Sequence, residues 1–135
     1  MLSHVHIGTA DLPAAFEFYQ AVFTELGLVV RFRDDAAGWA GWQQPGEARP
    51  LFLIGRPFDG SPASAGNGQM IALLAPSRAH VERAFDAALA AGGAAEGEPG
   101  LRPHYHPHYY GAYFRDLDGN KLCVCCHDDP VDIAT

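Results

Sequence analysis

The sequence predicts an α+β fold made of two βαβββ modules, and three observations carry this prediction. Aromatic and aliphatic residues recur at helical spacing in two segments, each preceded by an N-cap residue. Short apolar segments separated by turn residues surround each helix, as expected of strands. The two halves match when the first is shifted by 66 residues, which pairs Asp11 with Ser77, Tyr19 with Phe85 and Gly27 with Gly93. Agreement at a single offset indicates an internal duplication.

The first module begins with a strand predicted at residues 2–9. Asp11 is a favourable N-cap, and Pro13 lies in the first helical turn, where its missing N–H costs no hydrogen bond. Gly27 ends the helix, because glycine suits the position after a C-cap. Three strands are predicted to follow, at residues 28–33, 38–43 and 50–55.

The second module repeats this order after residues 58–68, a segment whose Gly, Ser and Pro content is typical of a linker. A helix is predicted between Ser77 and Gly92–Gly93, and the strands at residues 70–75, 94–98, 109–116 and 120–127. We therefore predict one domain over residues 1–127, with modules at 1–57 and 69–127 and a polar tail at 128–135. Two four-stranded sheets, each with one helix outside, would form a cup-shaped, half-barrel mixed sheet.

The composition excludes several classes of function. The chain has 135 residues and a net charge of −7 with neutral histidines. Nucleic acids and anionic membranes require a basic surface, so neither is an expected partner. No apolar run approaches the roughly 20 residues that span a bilayer. The three cysteines lie close together at positions 123, 125 and 126, and this spacing is not that of a disulfide framework. We expect free thiols in a reducing, cytoplasmic compartment.

Two stretches of the chain resemble the vicinal oxygen chelate superfamily, which includes glyoxalase I, bleomycin-resistance proteins and extradiol dioxygenases. They are SHVHIGTADLPAAFEFY near the amino terminus and YFRDLDGNKL near the carboxyl terminus. The resemblance covers the whole chain and agrees with the βαβββ duplication. It specifies the fold more closely than the reaction, because this scaffold hosts several chemistries.

The resemblance implies a divalent metal ion, zinc, nickel or iron, held by two histidines and a glutamate. Carried onto this chain, the three ligand positions are His4, Met70 and Cys123. Two of the three ligands are replaced, so the resemblance implies a degraded or altered metal site. The remaining donors are softer and favour copper(I) or zinc. The alternative is that no metal binds and that His4 is hydrogen-bonded in the cavity wall.

The turn at residues 116–119 predicts the register of the last hairpin. A type I turn with Gly119 in the left-handed region pairs Tyr113 with Cys123 and Gly111 with Cys125. Cys123 and Cys125 are then expected to face the cup, and Cys126 the helices. Cys123 is either a reactive thiol, with a pKa lowered by neighbouring cations, or a small residue that fills the space of a lost ligand.

Residues that contact a ligand are predicted on the cup face and on the loop LRPHYHPHYY, namely His6, His104, His106, Tyr109, Tyr113 and Cys125. The alternating histidines of this loop would point the same way in an extended segment. They form either a second metal site or a rim that hydrogen-bonds the substrate or its own backbone. Trp39 and Trp42 are predicted on opposite faces of their strand, one toward the cup and one toward the helix.

Two functions are compatible with the sequence, and the catalytic residues are left unassigned. The first is a lyase or oxidoreductase of the glyoxalase/dioxygenase superfamily that acts on a small carbonyl or oxygenated metabolite. The alternative is a metal-free module that sequesters a small molecule, as bleomycin-resistance proteins do. The resemblance also implies a homodimer, because members of this kind usually build the cup from paired chains.

Overall fold

The computed structural model of the protein describes residues 1–130, so most of the predicted tail at 128–135 lies outside the described residues. The strands are β1 His4–Gly8, β2 Val29–Asp34, β3 Trp39–Gln43, β4 Leu51–Gly55, β5 Ile71–Leu74, β6 Ala94–Leu101, β7 Tyr110–Arg115 and β8 Lys121–Cys126. The helices are α1 Leu12–Glu25 and α2 Arg78–Ala90. Their order gives βαβββ twice, as the sequence predicts.

The described strands form two separate four-stranded sheets, in the orders β1-β4-β3-β2 and β5-β8-β7-β6. In each sheet the first and last strands of a module pair in parallel, and the remaining pairs are antiparallel. The predicted α+β fold of duplicated modules is thereby confirmed. Strand β6 runs three residues beyond its predicted end, because register shifts around Gly97 allow it to curve along β7.

The hydrophobic core of the described residues lies between the helices and the sheets. Trp42 is fully buried there, packs against the rings of Phe16, Tyr19 and Phe23, and donates its indole N–H to Gln20 Oε1 at 3.1 Å. Helix α1 also packs against α2, which joins the two modules. The expectation that one tryptophan of β3 reaches the helix side is therefore confirmed for Trp42.

The helices begin as predicted, but the second ends one residue early relative to the 66-residue repeat. Asp11 accepts from Ala14 N–H, and Ser77 accepts from His80 N–H. The glycines with left-handed φ that end the helices are Gly27 and Gly92. Gly92, rather than Gly93, is thus the counterpart of Gly27, because α2 has 13 residues and α1 has 14.

A hydrogen-bond node at Asp116 ties helix α1 to the turn between β7 and β8. Its Oδ2 accepts from the Tyr19 hydroxyl at 2.5 Å, and its Oδ1 accepts from the backbone N–H groups of Asp118 and Asn120. Gly119 has φ +88°, which confirms the predicted turn geometry. The node connects the first module to the second.

Each sheet has a second face that its helix does not cover, called here the open face. Alternate residues of β1 and β5 pack into the core, among them Ile7 and Leu73. The residues between them, including His4, His6 and Leu74, therefore lie on the open faces. In the described part of the chain, neither helix is long and apolar enough to cross a bilayer.

Candidate functional site

A cavity of about 1020 Å³ lies on the open face of the first sheet, and we call it the first-sheet cavity. Its side-chain walls include His4, His6, Trp39, Leu53 and Arg56. The segment predicted as a linker closes one side, because residues 57–62 and 64 also line the space. The cavity is wide enough for a drug-sized molecule.

Glycines make room for the aromatic wall of this cavity. A Cβ on Gly55 would lie 2.8 Å from the Cβ of Trp39 and 3.1 Å from His6 Nε2. Trp39 is 40% exposed and packs edge-on against Phe32, whereas Trp42 is buried on the opposite side of the strand. Trp39 is thus the tryptophan that the sequence predicts on the cup side.

Two charged side chains line the first-sheet cavity, Arg56 and Asp59, and the Asp59 carboxylate accepts from the backbone N–H of Ser61 at 2.9 Å. Arg56 is exposed, and its guanidinium makes no hydrogen bond or ion pair with any residue in the described range 1–130. Burial, with a smaller effect of nearby His4, lowers the pKa of His6, which is therefore neutral at pH 7. A cation and a neutral imidazole suit a ligand with one anionic group and a planar apolar body.

A smaller cavity of about 190 Å³ lies where the two modules meet. It is lined by His6 and Met70, among others, and Met70 is 44% exposed. His6 therefore contributes to both cavities. Met70 reaches this junction but not the first-sheet cavity, whose walls include His4.

The last hairpin has the register that the turn predicts. Tyr113 pairs with Cys123 and Gly111 with Cys125. Cys123 and Cys125 lie on the open face of the second sheet and are almost fully buried there. Cys126 belongs to the hydrophobic core, as expected. All three cysteines are free.

The thiols of the open face belong to a group that we call the thiol–histidine cluster, which consists of His106, Tyr109, Tyr113, Cys123, Cys125 and His127. The Tyr109 hydroxyl lies 3.4 Å from Cys123 Sγ and 3.0 Å from the Tyr113 hydroxyl. Cys125 Sγ lies 3.6 Å from His127 Nε2, and His127 Nδ1 lies 2.8 Å from His106 Nε2. A hydrogen bond thus links the buried thiol of Cys125 to the exposed His127.

Gly111 gives Tyr109 its position over the thiols. A Cβ on Gly111 would lie 2.9 Å from a carbon of the Tyr109 ring and 3.4 Å from the Cβ of Cys125. The absence of a side chain there lets the ring of Tyr109 lie close to the strand. A larger residue at 111 would push Tyr109 away from Cys123.

The neighbouring thiols and hydroxyls shift the pKa values of Cys123 and Cys125 in opposite directions. The adjacent Cys125 thiol, assisted by the Tyr109 and Tyr113 hydroxyls, lowers the pKa of Cys123 to about 7, against the opposing effect of burial. The adjacent Cys123 thiol, together with burial, raises the pKa of Cys125. Burial and the bond to Cys123 also raise the pKa of Tyr109, which stays a donor. Cys123 is therefore partly ionised at neutral pH.

The histidine loop does not place its three imidazoles together. Residues 103–108 form turns rather than an extended segment. His106 turns inward to His127, His104 packs against the Tyr105 ring, and His108 Nδ1 lies 3.8 Å from Asp129. The interpretation of a rim loop suits this arrangement better than a second metal site.

The described residues do not fit the metal site that the resemblance implies. His4 lines the first-sheet cavity, Met70 lies at the module junction, and Cys123 is buried beside Tyr109. Ala72, the cross-strand neighbour of Cys123, carries no donor. Across residues 1–130, no group of three histidine, cysteine, aspartate or glutamate side chains is placed to hold a metal ion.

The sequence gives no signal for Arg56, because a single arginine beside a linker has no pattern that distinguishes it. The hairpin register does predict His127 opposite Tyr109, on the side of the strand that carries Cys123 and Cys125. The observed register, which pairs Tyr110 with Cys126, agrees with that placement.

Comparisons with known proteins agree with this architecture. Residues 1–124 match the family model described as the Glyoxalase/Bleomycin resistance protein/Dioxygenase superfamily. A glyoxalase/bleomycin resistance protein from Albidiferax ferrireducens T118 has 32% sequence identity and a TM-score of 0.82, over 95% of this chain and 99% of that chain. A search of curated proteins found no match.

More distant solved structures share the fold alone. A glyoxalase-related enzyme from Fulvimarina pelagi has 20% identity and a TM-score of 0.73, over 97% of this chain and 89% of that chain. A glyoxalase/bleomycin resistance protein/dioxygenase family enzyme from Burkholderia phytofirmans PsJN has 19% identity and a TM-score of 0.71, over 93% and 98%.

Proposed function

Because the chain belongs to the Glyoxalase/Bleomycin resistance protein/Dioxygenase superfamily, we propose that it binds a small planar anion in the first-sheet cavity without a metal ion. The single observation that carries this proposal is the guanidinium of Arg56, which has no partner among residues 1–130, in the wall of a cavity of about 1020 Å³. An exposed Trp39 in the same wall supplies a stacking surface.

The chemistry of the lining supports an aromatic carboxylate as the ligand class. Arg56 can bind a carboxylate through two parallel hydrogen bonds. Neutral His6 adds a polar contact without a second positive charge. Leu53 and Trp39 provide the apolar contacts that a planar ring needs.

Replacement of Arg56 by glutamine is expected to weaken salicylate binding by about 10- to 100-fold, because a charge-assisted hydrogen-bond pair is lost. Titration calorimetry of the full chain with salicylate measures this change. Arg49→Gln is the matched control, since Arg49 is an exposed arginine outside the cavity lining. Equal affinity in the two variants would contradict the proposed site.

The second candidate is catalysis on a small carbonyl or oxygenated compound. The observation that favours it is Cys123, whose pKa of about 7 leaves it partly ionised beside two phenolic hydroxyls. Such a thiolate is a nucleophile rather than a packing residue. This candidate needs no metal ion.

Apolar side chains that are exposed on the surface support a homodimer. Leu74 is 72% exposed on β5, and Val29, Val30 and Met70 are each more than 40% exposed. Burial of such side chains against a second copy would remove apolar surface from water.

Light scattering is therefore expected to give the mass of two chains, and Leu74→Glu to give the mass of one. Leu117→Glu is the control, because Leu117 is an exposed leucine in the β7–β8 turn. A monomeric wild type, or a dimer that tolerates Leu74→Glu unchanged, would contradict the predicted interface.

A further inference from the structure

Two opposite charges line the first-sheet cavity without pairing with each other. The guanidinium of Arg56 and the carboxylate of Asp59 both belong to its walls, yet neither has an ion-pair partner in the described range 1–130. We propose that the ligand of this cavity is a zwitterion, an aromatic carboxylate that also carries an alkylammonium group. This step rests on the proposed function, with Arg56 as the partner of the carboxylate, and adds Asp59 as the partner of the ammonium group.

A turn holds the Asp59 carboxylate in place. The backbone N–H of Gly60 donates to the Pro57 carbonyl at 3.0 Å, and Gly60 has a φ of +74°, which glycine adopts without strain. Oδ1 of Asp59 accepts from the backbone N–H of Ser61 at 2.9 Å. Within the part of the chain that the structure describes, Oδ2 of Asp59 accepts no hydrogen bond. This oxygen is therefore available to an ammonium group.

The segment that carries Asp59 is anchored at both ends against strand β1. A Cβ on Gly8 would lie 3.2 Å from the Cβ of Ala63 and 3.5 Å from Cγ of Pro57. The absence of a side chain on Gly8 thus lets both residues lie close to the strand. Residues 58–62, between these contacts, are exposed and line the cavity. Asp59 is therefore held on a short anchored loop rather than on a free linker.

Gly38 holds the guanidinium of Arg56 against the turn between β2 and β3. A Cβ on Gly38 would lie 2.5 Å from Arg56 Nε and 2.8 Å from Arg56 Cζ, so the arginine side chain lies directly over this glycine. The backbone N–H of Arg56 also donates to the Gly38 carbonyl at 3.1 Å. Two different turns thus hold Arg56 and Asp59, and their charges stay apart although the residues are close in sequence.

A ligand with both charges suits this arrangement better than a simple anion. An aromatic carboxylate alone neutralises Arg56 but meets Asp59 as a like charge, which is unfavourable. A zwitterion gives each of the two side chains an opposite charge, and its hydrogen bonds to both are charge-assisted. The two charges of the cavity therefore select for a ligand that carries one of each sign.

Exposed rings in the cavity wall favour an aromatic body between the two charges of the ligand. Trp39 is 40% exposed, and Phe58, the neighbour of Asp59 in sequence, is fully exposed. The Phe58 ring contacts no other aromatic ring within residues 1–130. Stacking on a bound ring would remove Phe58 from water.

The test compares ligands of the same shape by titration calorimetry of the full chain. In para-(aminomethyl)benzoate an ammonium group replaces the terminal methyl group of para-ethylbenzoate, and the corresponding meta pair covers a shorter spacing. The wild type should bind the better aminomethyl isomer about tenfold more tightly than its ethyl counterpart, because a charge-assisted hydrogen bond is gained. Equal or weaker binding of both aminomethyl isomers would overturn the zwitterion.

Replacement of Asp59 by asparagine assigns the gain to one side chain. Asparagine can still accept from Ser61 N–H and keep the turn, but it carries no charge. In Asp59→Asn the two affinities should differ by about twofold or less. Asp86→Asn is the matched control, since Asp86 is an exposed aspartate of α2 outside the cavity lining, and it should keep the tenfold preference. A preference that survives in Asp59→Asn, or that Asp86→Asn also removes, would overturn the role of Asp59.

Failure of the zwitterion is distinguishable from failure of the anion site. If the ethylbenzoates bind and Arg56→Gln weakens them, but the ammonium group adds no affinity, the anion site stands and the zwitterion is wrong. If no member of either pair binds, both are wrong.

Discussion

Replacement of Asp116 by alanine is expected to lower the free energy of unfolding by about 3–4 kcal/mol, since several bonds to a charged acceptor are lost together. The Asp116 side chain is buried and accepts from the Tyr19 hydroxyl, two backbone N–H groups and the Asn120 amide. Removal of the carboxylate leaves these donors without their acceptor. The loss should also loosen the contact between the two modules.

Urea unfolding followed by far-UV circular dichroism measures this change. Asp118→Ala is the matched control, because Asp118 lies in the same turn and accepts one exposed hydrogen bond, from Ala10 N–H at 2.8 Å. Asp118→Ala should lower the free energy of unfolding by about 1 kcal/mol. Equal losses in the two variants would show that the turn, rather than the Asp116 node, determines stability.

Replacement of Trp42 by alanine is expected to lower the free energy of unfolding by about 4 kcal/mol, because truncation of a large buried aromatic residue leaves a cavity. Trp42 is fully buried and packs against three aromatic rings of α1. Trp39→Ala should cost about 1 kcal/mol, because Trp39 is 40% exposed. Both values come from the same unfolding measurement.

The two tryptophans should also separate stability from binding. Trp39→Ala is expected to weaken salicylate binding while the fold is kept, because Trp39 lines the first-sheet cavity. Trp42 lies on the other side of β3, so its tryptophan fluorescence should respond little to the ligand. A Trp39→Ala variant that binds salicylate like the wild type would show that the Trp39 ring does not stack on the ligand.

The sequence predicts the fold well because its signals are local. N-caps, helical spacing and turn glycines act within a few residues, and the duplication makes each half a check on the other. The hairpin register is the clearest case, because Gly119 in its left-handed conformation sets the pairing of Cys123 with Tyr113. Alternation along the strand then separates Cys126 from the other thiols.

The site was less predictable because it depends on segments whose conformation is not local. Composition identifies residues 58–68 as a linker, but it does not show that residues up to 64 line a cavity. Likewise, alternation of His104, His106 and His108 suggests one direction, whereas turns send these side chains to different partners. Arg56 has its role only because the linker and β3 surround it.

The central claim, that ligand binding at the first-sheet cavity needs no metal ion, is tested most directly by calorimetry of chelator-treated protein with salicylate. The titration is performed without metal and again with one equivalent of Ni²⁺ or Zn²⁺. For the wild type, the affinity for salicylate should be the same without metal, with Ni²⁺ and with Zn²⁺. The affinity of His4→Ala should likewise not change when metal is added. Binding that appears only with the metal ion, and that His4→Ala removes, would contradict the claim.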